Sequence, residues 1–253
     1  MGREVARAAA AVCVLTVAVV GCRHGGEDGG RDSAGASHPA RQAAAPEKVL
    51  GHRELERTAL GSGDVDGFSV GPVVGDVGAG QPVVGPVAPA PARCKPLNDM
   101  TAFVGRYQPV WQVAKIVSRT SDEGDTSSTT VALNSYRQQE SVKVMTELRG
   151  ALDTCTKFAP PGSSVTGWTY SHIHKLPDPS LGDDALSYRM TLDMPADDMG
   201  PAHSVVFTYV VVRSGTTVTT FASNLFGVDG KPTEVPRRVI DAQIKKLSQA
   251  SSG

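Results

Sequence analysis

Residues 204–225 read SVVFTYVVVRSGTTVTTFASNL. Val205 to Val212 is almost continuously apolar or aromatic and rich in β-branched side chains, the composition of a strand buried inside a sheet. Ser214-Gly215 is a two-residue hairpin signal, and a second β-branched run follows it. The stretch predicts two antiparallel neighbours, Ser204–Arg213 and Thr216–Leu225, in the interior of a sheet.

Working outward, Val165–Lys175 and Leu186–Met194 read as two more strands, entered after the break Pro160-Pro161-Gly162. Trp111–Arg119 alternates and Thr129–Tyr136 is β-branched, with a polar turn between them. Gly63-Asp-Val-Asp-Gly-Phe-Ser-Val70 reads as a turn feeding a short strand. Val142, Met145, Leu148, Leu152 and Cys155 recur every three or four residues, which predicts an amphipathic helix with Cys155 on its buried stripe. Shorter helices are expected over Leu50–Leu60 and Leu97–Tyr107. A final helix is expected after Thr233 as cap, with Pro236 in its first turn and Val239, Ile240, Ile244 and Leu247 inward. The fold class is α+β: an antiparallel sheet of about five to six strands, with helices packed mainly on one face.

Thirteen of the 253 residues are Phe, Tyr or Trp, and twelve of these lie between Phe103 and Phe226. A core needs large apolar side chains, so one domain occupying 49–250 is expected. The formal charge of −1 argues against a nucleic-acid binder driven by phosphate neutralisation. Residues 71–92 are Gly-, Pro- and Val-rich, with Pro-Val-Val-Gly at 72 and again at 82, and read as a surface loop.

The N-terminus reads as an export signal over residues 1–21. Arg3 and Arg7 precede an uncharged run from Ala8 to Val20, too short for a comfortable membrane span. It ends in Val19-Val20-Gly21-Cys22, which resembles the lipobox of bacterial lipoproteins. That resemblance implies cleavage after Gly21 and acylation of the Cys22 thiol, giving a stable two-chain anchor. Val19 stands where Leu is commoner. The alternatives are an uncleaved anchor or cleavage by the ordinary signal peptidase. Residues 22–48, rich in Gly, Ala, Arg and Asp, are expected to form a flexible tether.

Of four cysteines, Cys13 leaves with the signal and Cys22 is assigned to lipid. Cys94 and Cys155 remain in an exported chain, and one disulfide is the simplest account; two buried free thiols are the alternative.

The chemistry-bearing patterns are weak. Gly67-Phe-Ser69-Val-Gly71 matches G-x-S-x-G, but a Pro-rich loop and no helix follows it. His172 and His174, two apart on an expected strand, are weak metal candidates on one face, without an assignable third ligand. Asp183, Asp184, Asp193, Asp197 and Asp198 form an acidic set read as solvated turns. Arg237-Arg238 and Lys245-Lys246 read as the exposed face of the last helix. Gly230-Lys231-Pro232 is no Walker A sequence, and Gly78-Ala79-Gly80 opens no GxGxxG.

The order of pieces over roughly residues 50–250 resembles the extracytoplasmic sensor domain of the mycobacterial kinase PknH and the actinobacterial lipoproteins carrying such a domain. The carriers are a Leu-rich opening helix, Asp64-Val65-Asp66-Gly67-Phe68, and Cys94 before Pro96-Leu97. Further carriers are Leu152-Asp-Thr-Cys155-Thr-Lys-Phe158, Gly182-Asp183, Val212-Arg213-Ser214-Gly215 and the closing helix. Asp66 stands where that family often has Pro, and one cysteine pair stands where the kinase sensor has two disulfides. The resemblance implies the fold, a place on the outer face of the cell membrane, and a non-catalytic ligand-binding or sensing role. It transfers no binding residues and no cofactor. The expected partners are the membrane, through the anchor, a small molecule or lipid, and an envelope protein. A structural envelope lipoprotein is the second reading, and an envelope hydrolase ranks last.

Overall fold

The hairpin at the middle of the sequence argument is the centre of the sheet. The computed structural model describes residues 48–73, 90–101, 103, 107–122, 126–160, 167–196, 200–225 and 232–251. The described residues fall in one compact unit, Ala44–Gly253. Strands β1 (Ser69–Pro72), β2 (Trp111–Thr120), β3 (Thr126–Ser135), β4 (Thr169–Leu176), β5 (Asp184–Met194), β6 (His203–Ser214) and β7 (Thr217–Leu225) form one sheet in the order β1-β2-β3-β7-β6-β5-β4. Every pairing is antiparallel. The sheet thus has seven strands instead of five to six, because the short segment after Phe68 pairs fully with Lys115–Ser118 as an edge strand.

The β6–β7 turn is Gly215-Thr216, one residue later than the sequence signal, since Ser214 already pairs with Thr217. Gly215 has φ +59°, which the first position of a tight hairpin turn of the II′ type requires. Gly182 has φ +57°, and a Cβ there would overlap the Arg213 carbonyl and the Val212 side chain, so the loop into β5 lies directly on the end of β6.

Helices cover both faces of the sheet, which corrects the expectation of one. Along β6, Tyr209 and Val211 point into one core and Val210 and Val212 into the other. The first core is roofed by α2 (Lys95–Thr101) and α3 (Gln138–Thr154), through Leu97, Met100, Met145 and Leu148. The second is roofed by α1 (His52–Thr58) and α4 (Arg237–Ser251), through Leu55, Val239, Ile240 and Leu247. The physical reason is that a central strand apolar at every position must be covered on both sides. The buried stripe of α3 runs through Val144, Met145, Leu148 and Ala151 to Cys155, while Val142 is exposed. α2 ends at Thr101, short of Tyr107. α4 begins at Arg237, and the carbonyl of Pro236, not Thr233, receives its first amides from Val239 and Ile240.

Both sheet edges are blunted. β1 is four residues long and ends in Pro72. β4 carries a bulge, and Phe158 bridges to Tyr170 beside it through two backbone hydrogen bonds of 2.8 and 3.1 Å. The outer helices are clasped by Gln243, fully buried. Its amide donates to the Thr58 carbonyl at 2.9 Å and accepts from the Leu60 amide at 3.1 Å, completing the end of α1. Lys246 donates to the Ala59 carbonyl and to Asp64, and this ammonium, with the Gly61 amide, holds the Asp64 carboxyl below its ordinary range.

Cys94 and Cys155 form a disulfide with Cα atoms 4.9 Å apart, fastening the turn before α2 to the end of α3. Next to it lies a tyrosine stack. Tyr188 and Tyr209, opposite each other on β5 and β6, have parallel rings 4.8 Å apart, and Tyr170 lies against Phe158 at 5.1 Å. Burial pushes the Tyr170 hydroxyl up to about 12 and those of Tyr136, Tyr188 and Tyr209 further still.

Two outcomes follow. The bridge closes a loop of 62 residues, so Cys94→Ala with Cys155→Ala should lower unfolding stability by about 3–4 kcal/mol, read by urea titration. The buried phenols ionise more easily when unfolded, so their contribution is intact below pH about 10 and is lost as pH rises above it. Absorbance at the phenolate band should therefore rise together with loss of the far-ultraviolet signal, in one alkaline transition. Free titration of all tyrosines in a folded chain would contradict this.

Candidate functional site

The candidate residues read from sequence are dispersed by the fold. Ser69 opens the exposed edge strand β1, opposite Ser118, and occupies no strand-to-helix turn. A G-x-S-x-G serine placed there lacks the elbow geometry of a nucleophile. His172 and His174 do not share a face by simple alternation. Ser171 pairs with Thr191 and His174 with Arg189, so His172 and Ile173 together oppose Met190 in a bulge, and His172 has φ +48°. Both imidazoles are exposed. Among the described residues no group of three or more His, Cys, Asp or Glu side chains could hold a metal ion.

The acidic set is spent on structure. Asp183 accepts from the Gly215 amide at 2.6 Å and faces Arg213 at 3.4 Å. Asp184 pairs with Arg149, which also holds Asp178 and the Ala185 carbonyl and so ties α3 to the entry of β5. Asp193 accepts from Ser171 and Ser204 at 2.5 and 2.7 Å. Of the basic doublets, Arg237 pairs with Asp241 and Lys246 with Asp64. Gly21, Cys22, Gly78–Gly80, Asp197, Asp198, Gly230 and Lys231 lie outside the described residues.

Two features stand out that the sequence reading missed. The first is a cleft of about 560 Å³ between α3 and the segment around Cys94, lined by Arg93, Lys95, Asp99, Glu147, Gly150 and Thr154. Within it, Lys95 and Asp99 form an ion pair. The Lys95 ammonium lies 2.7 Å from both oxygens of Asp99, a carboxylate only 2 % exposed. The Tyr107 hydroxyl donates to Glu147 at 2.9 Å. Tyr136, buried beneath, feels Asp99 and Glu140, which add to burial in disfavouring its ionisation.

The second feature is a buried polar strip on the sheet face that carries α2 and α3. Val113, Val131, Leu133 and Phe221 face the α1/α4 core, so the residues between them turn the other way. Gln112 pairs with Asn134, Asn134 with Val218, and Ala132 with Thr220. Gln112, Asn134, Thr220 and Asn224 are nearly or fully inaccessible, as is Asn98 on α2. Gln112 donates to the Phe103 carbonyl at 2.6 Å, but its Oε1 has no hydrogen-bond partner among the described residues. Nor have Asn134 Oδ1, Thr220 Oγ1, Asn224 Nδ2, the Tyr188 hydroxyl, or either polar atom of Asn98. Such groups are normally satisfied, and each unmatched one costs about 1–3 kcal/mol. The readable signal was two amide residues, Gln112 between Trp111 and Val113 and Asn134 after Val131-Ala132-Leu133.

The strip and cleft present hydrogen-bonding groups but no ordered pair of nucleophile and base. Comparison with protein-family models finds no match, and no curated protein sequence matches either. Among solved structures, the chain is similar in fold to the extracellular domain of PknH from Mycobacterium tuberculosis, at a TM-score of 0.51 and 8 % sequence identity, over 82 % of this chain and 100 % of that one.

Proposed function

We propose that this chain is an extracytoplasmic lipoprotein, anchored through Cys22 after cleavage at Gly21, whose folded domain is a non-catalytic ligand-binding or sensing module. The observation that carries the binding role is the strip of buried amide and hydroxyl groups on the α2/α3 face that have no partner among the described residues. A protein spends stability to keep such groups unmatched, and a bound polar molecule regains that stability by completing them. The export-type N-terminus, the Cys94–Cys155 bridge and the fold shared with an extracellular domain support the location. No helix among the described residues is long and apolar enough to cross a membrane.

Two experiments test this reading. Thr220→Val is isosteric and removes only an unmatched hydroxyl, and Asn134→Leu removes an unmatched carbonyl. In the purified, ligand-free chain each should leave stability unchanged or raise it by about 1 kcal/mol, while a small molecule retained by the parent in native mass spectrometry disappears. Destabilisation by both variants with no retained molecule in the parent would refute the binding role. For the anchor, a fatty-acid label should enter the parent and be absent from Cys22→Ala. Undiminished label in that variant would refute it.

A further inference from the structure

We infer that the end of the sheet at which the chain enters the domain is its membrane-facing surface. This rests on the reading of Cys22 as the anchored residue. Three large apolar side chains stand exposed among the described residues: Val49, Val110 and Val142, at 39, 36 and 49 %. They come from distant parts of the sequence and converge on the β6–β7 turn. The Thr216 hydroxyl donates to the Lys48 carbonyl at 2.8 Å, and Val49 follows Lys48. The Ser141 hydroxyl donates to the Gly215 carbonyl at 3.3 Å, and Val142 follows Ser141. The Thr216 carbonyl accepts the Tyr136 amide at 2.9 Å, and the adjacent Ser135 carbonyl accepts the Val110 amide at 2.7 Å. Isolated exposed valines are ordinary, but these three lie at one end of the sheet.

The occupant follows from where the outlying chain joins. The 26 residues from Cys22 to Glu47 end at this surface. With Cys22 in the bilayer, this end of the domain is the one drawn closest to the lipid. Ion pairs there join Lys48 with Glu54, Arg137 with Glu140 and Arg213 with Asp183, and Lys143 beside Val142 lies over the Tyr107 ring. The contact is therefore apolar, weakly dependent on salt and headgroup charge, and made effective by the local concentration the tether imposes.

The test uses the mature chain with a histidine tag in place of Cys22, held on vesicles of phosphatidylcholine and a nickel-chelating lipid with brominated acyl chains. An environment-sensitive dye is placed at Val142→Cys or, at the far end of β2, at Thr120→Cys. Quenching should be several-fold greater at 142 than at 120, persist when phosphatidylglycerol or salt is added, and fall in a Val49→Ser, Val110→Ser background. Equal quenching at both positions, or none, would overturn the inference. So would a response at 142 that follows protein concentration instead of lipid, which would make the surface a contact between copies. The surrogate anchor keeps this result independent of whether Cys22 is acylated, which the fatty-acid label reads separately.

Discussion

The pairing of β3 with β7 is the seam on which the rest of the domain depends. It joins a three-strand unit made early in the chain to a four-strand meander made late, through nine antiparallel partners from Ser127↔Leu225 to Ser135↔Thr217. Because β3 takes that central place, the chain must cross a whole half-sheet to begin β4 at the opposite edge. α3 makes that crossing, touching β4, β5 and β6 as it passes. The crossing fixes which face α3 roofs, and the return from β7 leaves the other face to α4. The disulfide then pins the far end of the crossing, where the chain leaves α3 and runs along β4.

Much of this was legible in the residues. The 204–225 hairpin and the β-branched strands were readable because their side chains are buried against neighbours on both sides. The Cys94–Cys155 pair followed from the cysteine count and an oxidising location. The two-face covering was also readable in principle, since Val210, Val211 and Val212 cannot all be buried against one layer. What periodicity could not show were interruptions set by tertiary context. The bulge at His172 breaks the alternation with one extra residue that carries no turn signature. The Pro236 start of α4 displaced a plausible Thr cap because the Pro carbonyl is free to accept the first helical amides.

The candidate site was almost wholly illegible. Thr220 and Asn224 lie in a run where Thr and Ser also serve as ordinary strand residues, so nothing local marks them. Thr129 illustrates the contrast: it is equally buried, yet its hydroxyl is matched by Ser223 at 3.1 Å. Only the register separates the matched from the unmatched, and register is a long-range property. The residues that seemed chemically eloquent, such as the Asp183-Asp184 pair, were instead the ones holding loops to strands.

The Gln243 clasp between α4 and the end of α1 spans 185 positions of sequence. The first of the described helices to be made therefore waits for the last. Until α4 is delivered, Leu55 and Leu60 have no roof, and the α1 terminus leaves its carbonyls uncapped. The α1/α4 layer is therefore the last part of the domain to be completed. A chain that stopped short of residue 237 would leave the α4 side of that core, Val239, Ile240 and Leu247, unmade and its neighbours open to solvent.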